Sequence, residues 1–184
     1  MRQLKHHEKK LLKKVDLYSW KNENNLREGQ IVKKYLLQDR EDYMRYNKIA
    51  GNITKFVGKL KLLPQSDELR FQLSEQLLQK LYNMGIVSTT SSLSAVEKLT
   101  VSAFCRRRLP VVMVRLKMSE TIKEATTFVE QGHVRVGPNV ITDPAFLVSR
   151  TFEDYVTWVD SSKIKRTIMK YNDKLDDYDL LGGN

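Results

Sequence analysis

The chain has 184 residues, 41% of them hydrophobic, and carries 32 Lys and Arg against 22 Asp and Glu, a net charge of +10. That composition is expected of a folded chain with a substantial core and not of a disordered one. No apolar run approaches the roughly 20 residues of a membrane span, and the Met1–His7 stretch is not expected to be a secretory signal.

The single cysteine, Cys105, allows no internal disulfide and no cysteine-based zinc cluster, which suits a reducing compartment. Charge is unevenly spread. Residues 1–64 hold 16 cations and 7 anions, whereas residues 101–160 hold 8 and 7. In the latter stretch all of Arg106, Arg107, Arg108, Arg115 and Lys117 precede the first acid, Glu120. A polarised cationic chain of this kind suits a polyanionic partner, through phosphate neutralisation and counterion release.

In chain order, residues 1–25 form a basic extension with Leu4, Leu11 and Leu12 as apolar contacts, followed by Tyr18 and Trp20 and a polar linker. Residues 26–87 read as helical. Apolar residues from Ile31 to Leu60 recur at steps of three and four until Pro64 ends the pattern. Ser66 is expected to open the next helix, with Leu69, Leu73, Leu77, Leu78, Leu81 and Tyr82 as its stripe and Gly85 as its stop. Tyr43 and Tyr46 fall at core spacing, which outweighs a base-stacking role.

The Ser/Thr-rich residues 88–100 form a connector. Residues 101–160 then form a unit of their own: a helix, a break at Leu109-Pro110, a second helix through Leu116, a third capped by Ser119, and a stop at Gly132. Strands are expected at Val134–Val136, Val140–Ile141, Phe146–Val148 and Tyr155–Trp158, with turns at Gly137-Pro138-Asn139 and Asp143-Pro144. Residues 161–184 give a basic helix and an acidic tail. The class is α+β: a helical N-terminal region, then short helices on a small, mostly antiparallel sheet, then a C-terminal helix.

A search for catalysis finds no Walker-type loop and no Gly-x-Ser-x-Gly elbow. His6 and His7 are adjacent and point apart on a helix; His133 has no nucleophile near it in sequence. Cys105 is expected to be buried and inert, although the following arginines would activate an exposed thiol. Glu153-Asp154 reads as a solvated turn. The expected roles are therefore no enzyme, no metal and no cofactor. Arg106, Arg107, Arg108 and Arg115 offer planar forks suited to phosphate, and Arg135 alternates with Val134 and Val136 so that it faces outward. Pairing of these arginines with Glu120, Glu124 or Glu130 is the competing expectation.

Arg108-Leu109, the two short helices, Gly132-His133-Val134-Arg135-Val136 and Pro144 before Val148 resemble the S-four RNA-binding domain family. The resemblance implies an RNA-binding surface comprising Arg106, Arg107, Arg108, Arg115, Lys117, Gln131, His133 and Arg135. Longer blocks extend it over the whole chain: Leu4–Glu8, Arg40–Tyr43, Lys80–Tyr82, Phe104–Pro110, Phe128–Pro138 and Tyr155–Asp160. These resemble the S-four-type proteins of the U3 small nucleolar ribonucleoprotein. That likeness implies a nucleolar assembly factor that binds U3 small nucleolar RNA and pre-ribosomal RNA. It also implies a protein partner of the Mpp-ten type and other processome proteins, with no membrane and no small-molecule substrate. A structural ribosomal protein of the same fold, a modifying enzyme with an appended S-four domain, and a helical adaptor are the alternatives.

Overall fold

The computed structural model describes residues 2–14 and 22–174. Tyr18 and Trp20, and the acidic tail beyond Lys174, lie outside the described residues. The helices are α1 (His6–Lys14), α2 (Asn22–Tyr35), α3 (Arg40–Leu62), α4 (Glu68–Asn83), α5 (Leu93–Glu97), α6 (Val101–Cys105), α7 (Leu109–Arg115), α8 (Ile122–Glu130) and α9 (Lys163–Tyr171). Strands β1 (Val134–Val136), β2 (Asn139–Val140) and β3 (Val156–Trp158) form an antiparallel sheet in the order β2-β1-β3.

The expected helical stretch of residues 26–63 is two helices, broken where Leu36 takes φ +48° and the Leu37 amide closes back on Val32. On α3 the buried stripe is Tyr46, Ala50, Val57 and Leu60. Ile49 and Phe56, which fit the same spacing in sequence, lie on the exposed side. Tyr46 stacks on Phe104 with ring centroids 5.8 Å apart, so the tyrosine is core, as its spacing suggests.

Asp67, not Ser66, caps α4: its side chain accepts from the Leu69 amide at 3.1 Å. The stripe on α4 is divided. Leu78 and Leu81 are buried, while Leu69, Phe71 and Leu73 face solvent. Gly85 ends this helix with φ +72°. Its amide bonds Tyr82 O and that of Ile86 bonds Leu81 O, a paired closure that satisfies the orphan carbonyls of the last turn.

Among the described residues, three clusters make the interior. Val57, Leu78, Leu81, Val87 and Val96 join α3, α4 and α5. Tyr35, Leu37, Tyr46 and Ala50 pack with Val101, Phe104 and Cys105. The third centres on Leu109, Val112, Met113, Ala125, Val129, Val134, Val148 and Val156. Helix α6 thus belongs by packing to the N-terminal helices, although its sequence position places it with the later unit. Packing changes hands between Cys105 and Leu109.

In that later unit Thr121, not Ser119, caps α8. Its hydroxyl accepts from the Glu124 amide while the Glu124 carboxylate accepts from the Thr121 amide, a reciprocal box. Gly132 at φ +73° ends the helix and turns the chain into β1. The two-residue connection Gly137-Pro138 joins β1 to β2; Asn139 belongs to the strand and pairs with Val136. Gly137 at φ +61° supplies the sign such a hairpin needs at its first central position. The expected strand at Phe146–Val148 makes only a single bridge, Leu147 to Arg108. Its partner is the irregular arginine segment, not the sheet: Leu109 N donates to Phe146 O and Val148 N to Arg107 O. Before β3, Glu153–Tyr155 is a short 3-10 turn, not extended chain.

Candidate nucleic-acid interface

The three arginines occupy the junction between the two bodies, where the backbone changes direction at each residue. Arg106 is helical (φ −66°, ψ −17°), whereas Arg108 is extended (φ −65°, ψ 142°) and precedes the first turn of α7, where Pro110 needs no amide donor. Their side chains diverge accordingly.

Arg106 is exposed and has no ion-pair partner among the described residues. Arg107 is 5% exposed; its Nε donates to Val148 O at 2.9 Å and Nη1 to Glu153 at 3.0 Å. Arg108 is 2% exposed and reaches the other way, donating to Asp42 at 2.7 Å and lying 3.4 Å from the Tyr46 hydroxyl. Arg107 and Arg108, expected with Arg106 at an RNA surface, are both buried. Each is paired with an acid inside the protein, as a buried guanidinium requires. The acids are Glu153 and Asp42, not those of α8.

Arg115 is half-exposed and shares Glu153 with Arg107. Arg107 and Arg115 thus converge on one carboxylate across the break at Leu109-Pro110. Glu153, read from sequence as part of a solvated turn, is instead the common acid of two arginines. Lys117 is exposed and takes φ +59°, closing α7 with its amide on Val114 O and that of Met118 on Met113 O. Arg106, Arg115 and Lys117 are therefore the accessible cations of this segment.

The turn after α8 gathers the other expected residues. Gln131 is exposed at the helix end. His133 is half-buried, its Nδ1 3.1 Å from the Ser162 hydroxyl that also caps α9. Arg135 points away from the core on β1, as alternation suggests, but is not free: Nε donates to Thr157 at 3.1 Å and Nη1 to Asp160 at 2.6 Å. Asp160 is also bonded by Lys165. That bond foremost, with Arg135 beside it, holds the carboxyl below its usual range. The acids of α8 serve locally: Glu124 in the capping box, Glu130 bonded by Gln38 across the two bodies.

Arg150 escaped the sequence reading. It stacks 4.0 Å from the Tyr82 ring centroid and donates to Tyr82 O at 3.3 Å and Val87 O at 3.1 Å. No periodicity marks it, because it lies in an irregular turn and its partners are more than 60 residues away. Cys105 is fully buried, and burial pushes its thiol up to about 11. Among the described residues no cluster of three or more His, Cys, Asp or Glu forms a metal-holding group, and no helix is long and apolar enough to cross a membrane.

Comparison with known proteins fits this two-body arrangement. Residues 3–106 match the ribosomal protein S4/S9 N-terminal domain and residues 107–153 the S4 domain, so the division falls inside the arginine triplet. The chain is 57% identical over 181 residues to the U3 small nucleolar ribonucleoprotein protein IMP3 of Saccharomyces cerevisiae, spanning 98% of this chain and 99% of that one. The Homo sapiens protein of the same name is 51% identical, with 98% of each chain covered. Small ribosomal subunit protein uS4 of Picrophilus torridus is 26% identical over 146 residues, 79% of this chain and 80% of that one. The chain belongs to the IMP3 family of U3 small nucleolar ribonucleoprotein proteins, built from an S4/S9 N-terminal region followed by an S4 domain.

Proposed function

We propose that this chain is a non-enzymatic RNA-binding assembly factor of the U3 small nucleolar ribonucleoprotein and the small-subunit processome, acting in the nucleolus. It binds U3 RNA and promotes its pairing with pre-ribosomal RNA for early processing of the small-subunit RNA. The observation that carries this reading is the end-to-end identity with proteins named for that particle, joined to an accessible cationic edge at Arg106, Arg115 and Lys117. The cations of residues 1–64 extend the footprint. Gln131, His133 and Arg135 are further polar contacts in this reading. Neutralising two RNA strands while holding them extended favours their pairing without ATP. A protein partner of the Mpp-ten type is part of the reading, and the exposed Leu62, Leu69 and Phe71 supply apolar surface of the kind partners cover.

The test is binding and strand annealing with U3 and pre-ribosomal RNA fragments across a salt series. Affinity should fall steeply with salt, and the full chain should speed annealing. Affinity indifferent to salt, or no acceleration, would overturn the reading. Replacing Arg106, Arg115 and Lys117 together by alanine should weaken binding at least tenfold. Identity to uS4 supports a second reading, a structural ribosomal protein. Fractionation separates the two, because a structural protein stays with mature small subunits.

A further inference from the structure

A concave cavity of about 450 Å³ opens where the C-terminal turn of α4, helix α6 and the Arg150–Glu153 turn meet. Its walls include Arg106, Arg107, Arg115 and Arg150, with Glu153 as the single acid and Gly85 closing one side. Four guanidinium groups thus face one carboxylate, which Arg107 and Arg115 already share. Like charges gathered at short range in a concave, partly desolvated site focus a strong positive potential.

Two details single this cavity out from the solvated cations elsewhere. Arg107 is 95% buried, and its Nη2 is buried without a hydrogen-bond partner among the described residues. A buried donor left unmatched is uncommon in a folded interior and marks a place where an acceptor belongs. Arg150 is held in a fixed plane by the Tyr82 ring and two carbonyls, so its fork is set before any ligand arrives. Fixed planar forks match the oxygen geometry of a phosphate. Gly85 permits this arrangement: a Cβ there would stand 2.7 Å from Arg107 Cζ.

We propose that this cavity, at the seam between the N-terminal helices and the S4 unit, is a phosphate receptor that takes a backbone phosphodiester of the bound RNA. The proposal rests on the RNA-binding reading above and locates one contact within it. Arg106, exposed and without an ion-pair partner among the described residues, meets the phosphate first. Arg115 and Arg107, which share Glu153 and so keep a net positive charge, neutralise it, and Arg150 orients it. A phosphodiester anchored here touches both bodies at once.

The test uses the full chain, labelled with nitrogen-15, titrated separately with a twelve-nucleotide oligouridylate and with inorganic phosphate. Expected are shifts of the Gly85 and Ser88 amides with the RNA. Arg106→Ala should remove those shifts and lower the salt slope of binding by about one unit. Lys123→Ala, on the acidic helix α8, should change neither. Inorganic phosphate that moves the same amides and competes with the RNA supports the proposal, since both present the same oxygens. Phosphate that moves them while RNA does not overturns the RNA assignment. Neither moving them, while the chain still binds RNA, overturns the receptor and leaves the RNA-binding reading standing. Absence of RNA binding altogether refutes that reading, and the proposal with it.

Discussion

The ion pair Arg108–Asp42 joins the N-cap of α7 to the first turn of α3 and ties the two bodies together. Arg108 is 2% exposed and the Asp42 side chain 13%, so neither charge is well hydrated. Removing one partner of a buried pair costs about 3–5 kcal/mol, because the other charge is left stranded. Asp42→Ala strands Arg108, which then has only the Tyr46 hydroxyl at 3.4 Å, so a loss of about 3 kcal/mol is expected. Arg108→Met strands Asp42, but Asp42 retains some water and Arg45 at 3.8 Å, so the loss should be nearer 2 kcal/mol. The double variant should lose much less than the two singles combined, with a coupling energy of about 2 kcal/mol. Urea unfolding of the wild type, both singles and the double measures it, provided the slope stays constant. Additive losses, or an Asp42→Ala variant within about 0.5 kcal/mol of wild type, would refute the claim that this pair holds the seam.

Gly85→Ala and Gly132→Ala both place a side chain at positive φ, which alone costs about 1 kcal/mol. Only at Gly85 does the new Cβ also strike a guanidinium fixed by Val148 O and Glu153; at Gly132 the nearest atom is 3.7 Å away. Gly85→Ala should be the more destabilising by at least about 1 kcal/mol in thermal or urea unfolding; equal losses would deny the fixed position of Arg107. Cys105 should resist alkylation at pH 8 in the folded chain and react quickly in urea. Its folded thiol, pushed up to about 11 from 9.0, keeps its proton where the unfolded one releases it. Stability should therefore fall as pH rises from 9 toward 11, and this component of the fall should vanish in Cys105→Ala; an unchanged alkaline profile would show the thiol to be hydrated.

What was legible in sequence was what short-range stereochemistry decides. Apolar spacing located the long helices, Gly85 and Gly132 marked their ends, and Gly137-Pro138 marked the hairpin, because each depends on the φ and ψ of a few neighbouring residues. The accumulation of cations, and with it a polyanionic partner, was likewise a property of composition. Local rules misplaced the caps of α4 and α8 by one and two residues, since several hydroxyls and carboxylates compete there and only backbone geometry selects among them. They also failed to separate Ile49 from Tyr46, because a helix wider than its buried face offers more than one apolar stripe.

The arginine triplet shows what tertiary structure alone decided. Three identical side chains in succession differ in nothing that a sequence displays. Yet one is exposed, one meets an acid 46 residues later, and one meets an acid 66 residues earlier. The backbone turns from helical to extended between Arg106 and Arg108, which aims the side chains apart, and a buried charge persists only where folding delivers its counter-charge. Which of the three stays exposed is therefore set by which acids the fold has delivered to the others.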